Sequence, residues 1–345
     1  MNIRIATAVD ELTWDEYVNN HPDGTVFHLS NWGKSIQKSF AHHSYNLVAF
    51  SETSQNSKII GILPLTQIKS KLFGHYLVSI PFAELGGVIA DNHEVANALT
   101  HRAIEIANEI QCDYLELKNR QSVPDLLTKD LYYNFSKEIL PELEDNMQAI
   151  PRKSRAAVRK GIKSGLVATF GHDQFDVFYE LMARSYHSLG TPVFSKIFFR
   201  NFLDCYQKDV ELLIVRTAEG LPVSGVMTLF YKDSVMPYYA GSIPGFRNLC
   251  PNDFMYWELL KYGWEKGYKV FDLGRSKIDT GSYSFKKHWG FEPQPLAYQY
   301  KLITIKELPN LSPANLKYAR KIELWRKMPF GLTKILGPPL AKYLG

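Results

Sequence analysis

The chain has 345 residues, of which 45% are hydrophobic and 22% charged, with a formal net charge of +5. That balance suits one large folded domain or two ordinary ones and excludes a disordered or fibrous chain, and no apolar run approaches the ~20 residues that span a bilayer. Residues 1–10 hold Arg4 and Asp10 and lack an apolar core, which argues against a secretory leader and for a cytoplasmic protein. Cys112, Cys205 and Cys250 have no metal-ligand spacing, so neither a disulfide framework nor a metal site is expected, and no cofactor is implied.

In chain order, residues 14–17 and 30–40 have helical apolar spacing, with Trp32, Ile36 and Phe40 on one face and Ser30 as the expected N-cap. Strand-like runs follow at 45–51, 59–70 and 76–81, separated by the polar turn at 52–58 and the Phe73-Gly74 break. A helix over 95–110 buries Leu99, Ala103, Ile106 and Ile110, and 114–117 reads as another buried strand. The second half repeats this order. Residues 213–215 answer 47–49, 224–227 answer 60–63, 236–242 answer 76–82, a helix over 253–266 answers the one from 95, and 270–273 answer 114–117. An offset of about 160 residues is too long for a solenoid unit and right for a duplicated α/β domain.

Between the halves runs a helix, opened by Pro151 and ended by Gly165, that contains Lys153 and places Arg152, Arg155, Arg159 and Lys163 in one cationic stripe. Val158, Ile162 and Leu166 mark its expected buried face. The stripe is either a solvated face or a phosphate-binding one, and the absence of any acidic residue from 147 to 166 favours phosphate. A second basic stretch, from 315 to 345, mixes Lys317, Arg320, Lys321, Arg326 and Lys327 with Leu324, Trp325, Leu332, Ile335 and Leu336, and Pro329, Pro338 and Pro339 are expected to break it into short pieces. It either docks back on its own protein or forms an interfacial helix on anionic lipid.

Chemistry concentrates in residues 270–300. Val270, Phe271 and Leu273 read as a buried strand stopped by Gly274, with Asp272 inside it. Arg275, Lys277, Lys286, Lys287 and His288 follow closely. Asp272 and Arg275 form either a structural ion pair or part of an anion-handling site at the carboxyl end of the strand. His288 is either a base or a surface histidine. Tyr238, Tyr239, Tyr283, Phe285, Trp289, Tyr298 and Tyr300 read as core and pocket wall rather than as a nucleic-acid stacking platform.

The run Phe271-Asp272-Leu273-Gly274-Arg275-Ser276, then Gly281-Ser282-Tyr283-Ser284-Phe285-Lys286-Lys287 and Trp289-Gly290, resembles the C-terminal signature of FemAB-like acyltransferases. It is most similar to the FemAB-related proteins that accompany exosortase/PEP-CTERM systems in Gram-negative bacteria. Residues 14–32, 151–165, 252–257 and the tail after 309 share the likeness, so it covers essentially the whole chain. The resemblance implies an α/β (α+β) protein with a tandem duplication of two GNAT-like (acyl-CoA N-acyltransferase fold) domains, at 1–148 and 149–308, followed by the basic amphipathic tail at 309–345. It implies transfer of an aminoacyl or acyl group to an amine of a cell-envelope precursor, peptidoglycan or polysaccharide. In that reading Asp272 accepts a proton or orients the amine, and Arg275 and Lys286 contact an anion. Arg152, Lys153, Arg155, Arg159, Tyr239, Tyr283, Lys287 and Trp289 bind substrate.

The expected partners are a phosphorylated envelope precursor, tRNA and, through the tail, the inner-membrane surface. One departure bears on the donor. Acetyl-CoA-using members of the fold share an Arg/Gln-x-x-Gly-x-Gly/Ala loop whose amides cradle pyrophosphate at a helix N-terminus. The corresponding places, residues 82–87 and 242–247, lack it. FemAB enzymes lack it too and use aminoacyl-tRNA, so aminoacyl-tRNA is the expected donor. Two alternatives stand beside it. One is an N-acyltransferase using acyl-CoA or acyl carrier protein in exopolysaccharide/PEP-CTERM biosynthesis, and the other is a non-catalytic envelope-assembly factor that binds phosphorylated glycans.

Overall fold

The computed structural model describes residues 1–51, 58–308 and 316–344. The turn expected at 52–58 and the start of the expected tail therefore lie almost wholly outside the described residues. In chain order the elements begin with β1 (Asn2–Ile5), α1 (Glu11–Asn20), α2 (Ser30–Phe40), β2 (His43–Ser44), β3 (Leu47–Phe50) and β4 (Ile59–Leu63). They continue with β5 (Thr66–Ser70), β6 (Gly74–Val78), β7 (Ile89–Ala90), α3 (His93–Glu109), β8 (Tyr114–Asn119) and β9 (Leu127–Lys129). Next come β10 (Tyr132–Glu138), α4 (Leu143–Ala149), α5 (Arg152–Lys163), β11 (Val167–Phe170), α6 (Phe175–Leu189) and α7 (Lys196–Tyr206). Then follow β12 (Val210–Arg216), β13 (Pro222–Tyr231), β14 (Ser234–Ser242), α8 (Pro251–Glu265), β15 (Val270–Lys277) and α9 (Gly281–His288). The chain closes on β16 (Gln294–Pro295), β17 (Ala297–Leu302), α10 (Leu316–Lys327) and α11 (Phe330–Ala341).

Two compact units result. The first holds Met1–Tyr132 and takes in β17; the second holds Tyr133–Gln294 and the helices α10 and α11. This differs from boundaries at 148 and 308, and the reason is strand pairing. The first unit's larger sheet has the order β2-β5-β6-β8-β17-β9, with β17 antiparallel to β8, whereas the second unit's sheet runs β11-β12-β13-β14-β15-β10-β16. Each unit thus completes its sheet with a strand contributed from the far end of the other half of the sequence.

In the first unit, the apolar run expected over 59–70 is two strands in two sheets, β4 beside β3 and β7, β5 beside β2 and β6. Pro64 sits at the break and has no N–H to give a ladder. The freed Leu65 amide donates to Asn46 Oδ1 at 3.1 Å. Helix α3, N-capped by Asn92, returns the chain so that β8 joins β6 in parallel. It lies so close to β4 that a Cβ on Gly61 would come within 2.6 Å of Val95. For α2 the N-cap is Leu29, not Ser30, because the Ser30 amide and hydroxyl are both taken by the Asp15 carboxylate, at 2.7 and 2.6 Å.

The second unit repeats the arrangement: β12, β13 and β14 form an antiparallel meander, α8 crosses over, and β15 joins β14 in parallel. The duplicated order read from the sequence is therefore present, including the single parallel step after each crossover helix. On one face, Phe254, Leu259 and Leu260 of α8 pack on Val226, Val235 and Phe271. The opposite face receives α6, close enough that a Cβ on Gly241 would come within 3.1 Å of the Leu181 carbonyl oxygen. The tail helices pack on α6. Arg326 donates to the Leu189 carbonyl at 3.1 Å, Lys334 pairs with Glu180 at 2.8 Å, and Gly337 lies against the Val193 backbone. Pro338 and Pro339 lie inside α11 and do not break it, with little helix beyond them to lose.

Helix α5 packs on α8 through Gly161, where a Cβ would sit 2.7 Å from Phe254 Cβ. Gly161→Val is expected to destabilise the fold by about 1–3 kcal/mol, as overpacking does. Urea titration should show a lower midpoint at unchanged slope, while Gly245→Val, at a position with open space around it, should leave the midpoint in place.

Candidate functional site

Strand β15 pairs Ser234 with Val270 and Val235 with Phe271, so its parallel ladder with β14 lies at its first residues. Asp272 stands just beyond that ladder. The strand does not stop at Gly274 but runs on to Lys277, and Gly274 takes φ +67° within it. That left-handed conformation costs glycine little and would strain other residues. It lets the Gly274 amide donate to Asp272 Oδ1 at 2.8 Å, while Asn134 Nδ2 on β10 approaches Oδ2 at 3.5 Å. The carboxylate is half-buried and held in place by its own strand.

Helix α9 follows. Thr280 caps it by accepting from the Tyr283 amide at 3.3 Å, and the Ser276 and Ser282 hydroxyls, 2.8 Å apart, tie the strand's end to the helix's start. One turn further, Lys286 is 7% exposed, and its Nζ donates to the Gly274 and Arg275 carbonyls, both at 2.8 Å. The Phe135 ring lies 5.4 Å from the same ammonium. Lys286 is thus anchored to the backbone of β15 at the kink and the residue after it. Lys287, next in sequence, points to solvent, as does His288.

The basic helix is attached to this element. Ser154 Oγ donates to the His288 carbonyl at 2.7 Å across 134 positions of sequence. A Cβ on Gly290, whose φ is +80°, would come within 3.0 Å of Pro151. The start of α5 therefore abuts the end of α9, which brings exposed Arg152 and Lys153 close to Lys287 and His288. Arg159 and Lys163 are also exposed, whereas Arg155 is half-buried and spends its guanidinium on Gln148, donating to the carbonyl at 3.0 Å and to the side-chain oxygen. Ile162 is 48% exposed instead of lining the buried face, because Gly161 occupies the position facing Phe254.

Three aromatic residues expected to bind substrate make packing contacts, two of them buried and Tyr283 half-buried. Trp289 is fully buried and donates Nε1 to Asp253 Oδ1 at 2.9 Å. Tyr239 is buried among Phe194, Phe198, Phe199 and Phe202, with ring centroids 5.3–6.1 Å away. Tyr283 meets Tyr133 and Phe135 edge-on. Aromatic residues in a run say only that a large apolar body is wanted; the sheet face decides whether it becomes wall or core.

Two other features were not singled out from the sequence. Lys137 on β10 reaches over the rings of Phe291, at 4.7 Å, and Trp289, at 5.8 Å, and desolvation pushes its pKa down to about 8. In the first unit, a cavity of about 420 Å³ is lined by Thr25, His28, Gly87, His93, Lys118 and Arg120. Lys118 is 2% exposed, with Nζ 3.4 Å from the Ile80 carbonyl, and His28 contacts the Gly87 carbonyl at 3.0 Å and Thr25 Oγ1 at 2.8 Å. One signal was present for Lys118: it lies two residues past Glu116, which answers Asp272 in the repeat.

Burial of Lys137 fixes a pH dependence. Its folded pKa of about 8 lies below its ordinary value of 10.5, so the unfolded chain binds that proton more tightly and the residue's contribution to stability rises between those values. Lys137→Met is expected to be more stable than the wild type at pH 7 by about 1–3 kcal/mol, with the gap closing as pH passes 10. Urea midpoints at pH 7 and pH 10 check this.

Residues 145–287, inside the second unit, match the family described as Acetyltransferase (GNAT) domain. Two Staphylococcus aureus proteins named lipid II:glycine glycyltransferase are 27% and 30% identical to this chain over 132 and 136 residues. The match covers 34% of this chain and 31% of each relative, so the chain spans about a third of the length of these curated relatives. Among solved structures, FemX aligns over 87% of this chain and 97% of its own, with a TM-score of 0.65 at 18% identity. A tandem GNAT protein from the clavulanic acid biosynthesis pathway aligns over 89% and 99%, with a TM-score of 0.58 at 11% identity. At these identities the structural matches speak to the fold, and they cover both units. The chain has a tandem GNAT fold, with the matched acetyltransferase domain in its second unit, and is similar to Fem-type proteins.

Proposed function

We propose that the chain is an aminoacyltransferase that moves an aminoacyl group from a tRNA ester to an amine of a phosphorylated, lipid- or nucleotide-linked cell-envelope precursor. The observation that carries this reading is the likeness of a third of the chain to proteins named for glycyl transfer to lipid II. In the reaction the neutral amine attacks the ester carbonyl, a C–N bond forms as the C–O bond to ribose breaks, and the amine's proton ends on the departing hydroxyl. Asp272, held by Gly274 and Asn134 beyond the end of the β14 ladder, is the group that takes and returns that proton or orients the amine. Lys286 acts as a positioning residue, since its ammonium is engaged by the Gly274 and Arg275 carbonyls. Arg275 stands beside it as the anion contact on the strand itself. Arg152, Lys153, Arg159 and Lys287 supply exposed charge for phosphate.

The helix termini favour a tRNA donor over a CoA thioester. A pyrophosphate cradle needs open amides at a helix N-terminus. In the first unit Asn92 already accepts from the Val95 amide at 3.0 Å, and Glu94 occupies the first turn of α3. Helix α8 in the second unit opens with Pro251 and carries Asp253 in its first turn. Negative side chains at these ends repel a second anion.

The decisive experiment is transfer of a labelled amino acid from charged tRNA to a purified envelope precursor, with acyl-CoA as the competing donor. Asp272→Asn is expected to lower transfer by ~10², the scale of one acid-base group, with an unfolding midpoint close to the wild type. Transfer from acyl-CoA, with no tRNA binding, would replace this reading by an N-acyltransferase, and binding of the precursor without transfer from either donor would replace it by a non-catalytic binding role.

The basic helix gives a separate expectation. With Arg152, Lys153 and Arg159 all changed to Gln, the slope of log affinity for tRNA against log salt should become shallower by roughly 2–3, three lost phosphate contacts each releasing a little under one counterion. Titrations at several salt concentrations measure it, and an unchanged slope would return α5 to a solvated face.

A further inference from the structure

Helix α11 is amphipathic in the wrong sense for a surface helix in water. Its polar side chains, Thr333 and Lys334, both turn toward the protein. Thr333 is 3% exposed and lies 3.2 Å from His187 Nδ1, and Lys334 pairs with Glu180 at 2.8 Å. Gly337 and Ala341, one and two turns beyond Thr333, are buried on the same side. The face left outward consists of Leu332, Ile335, Leu336 and Pro339, at the i, i+3, i+4, i+7 spacing of a single helical stripe. Leu332 and Leu336 are each 42% exposed and Ile335 is 70% exposed. The helix before it in the chain, α10, which packs on the same α6, shows the opposite chemistry. Trp325 is buried, while Arg320, Lys321, Arg326 and Lys327 are exposed, with Leu324 at 65% exposure among them.

We propose that the α11 stripe, flanked by the cations of α10, is a docking surface for an anionic lipid bilayer. Two observations select that occupant. The first is charge: α10 exposes Arg320, Lys321, Arg326 and Lys327 against the single acid Glu323, which pairs with Lys327 at 2.6 Å, while Arg326 also donates to the Leu189 carbonyl; the net positive surface complements anionic headgroups and would face its own copy across a dimer made through the same patch. The second is size. A 12-residue helix is about 18 Å long and about 10 Å wide, so its face covers on the order of 200 Å², far below the ~800 Å² each partner buries in a stable protein pair. A bilayer needs no such area, since a few apolar side chains inserted at headgroup depth and a few cations above them give weak, reversible attachment. Among the described residues no helix is long and apolar enough to cross a membrane, so the attachment lies along the surface. This surface is independent of the transfer reaction proposed above.

The test is co-sedimentation of the full chain with sucrose-loaded vesicles of phosphatidylcholine alone or with one third phosphatidylglycerol. The wild type is expected to sediment with the anionic vesicles and at least several-fold less with the neutral ones. Changing Leu332, Ile335 and Leu336 together to Ser should reduce the bound fraction about tenfold, and changing Arg320, Lys321, Arg326 and Lys327 together to Gln should do so about as strongly. No sedimentation of the wild type, or binding untouched by the Ser changes, would overturn the proposal. So would a concentration-dependent dimer in analytical ultracentrifugation that the Ser changes abolish. Ile335→Trp covers the case in which the Ser variant fails to fold. Its added emission should be quenched by brominated lipid beyond the wild-type level, and a failure to quench counts against insertion.

Discussion

The second unit depends on one buried ammonium. Lys286 donates to two consecutive carbonyls of β15, across the left-handed kink at Gly274. A charged donor on a carbonyl contributes more than a neutral one, and an orphaned pair of buried carbonyls costs more than the bond itself is worth. The ammonium therefore fixes three things at once. It sets the path of β15 after Asp272, the placement of α9 against that strand, and, through Ser154 on the His288 carbonyl, the seat of the basic helix. The segment that carries Asp272 and the seat of the cations of α5 both depend on this one side chain.

The elements were legible because their periodicities are strong. Helices near 30–40, 95–110 and 253–266 and the strands around them appear where apolar spacing put them, and the repeat at about 160 residues survives as repeated sheet order. What escaped the sequence was decided at longer range. Nothing in the composition of Tyr132–Glu138 or Ala297–Leu302 says which of two similar sheets it will join, since a strand's pattern encodes its faces and not its neighbour. Lys286 and Lys287 are adjacent, yet a single 100° step round α9 puts one in the core and the other in water. Trp289, just past α9, and Tyr239, on β14, are both buried because of the face on which each element places them. Lys118 and Lys137 were passed over because lysine is ordinarily a surface residue, and only the finished sheets bury Lys118 and half-bury Lys137 under its neighbouring rings.

Exposed positive charge in the second unit is carried by side chains rather than by open helix termini. The exposed cations of α5 and the end of α9 lie together because two helix ends abut, while the helix termini that serve phosphate elsewhere in this fold are occupied by Asn92, Glu94 and Asp253. Side-chain charge on long stems adapts to an extended polyanion, whereas a ring of backbone amides suits one compact pyrophosphate. The distribution of donors in this chain is of the first kind.

The exchange of β10 and β17 sets an order of events during synthesis. When the ribosome has finished β8, the first unit holds its core helix and most of its larger sheet, but the strand that pairs with β8 is still unmade. At bacterial elongation rates of about 5–20 residues per second, the stretch from Asn119 to Leu302 takes roughly ten to forty seconds to appear. For that interval β8 is an open edge with a row of unpaired amides and carbonyls, the kind of surface that recruits strands from other chains. β10 emerges within that interval, ahead of the strands of the second unit's sheet, and must not settle permanently beside β8 before its own neighbour β15 exists. Among the described residues the last strand made is the one that seals the first sheet, so the nascent first unit completes that sheet only after the strands of the second unit's sheet have been made.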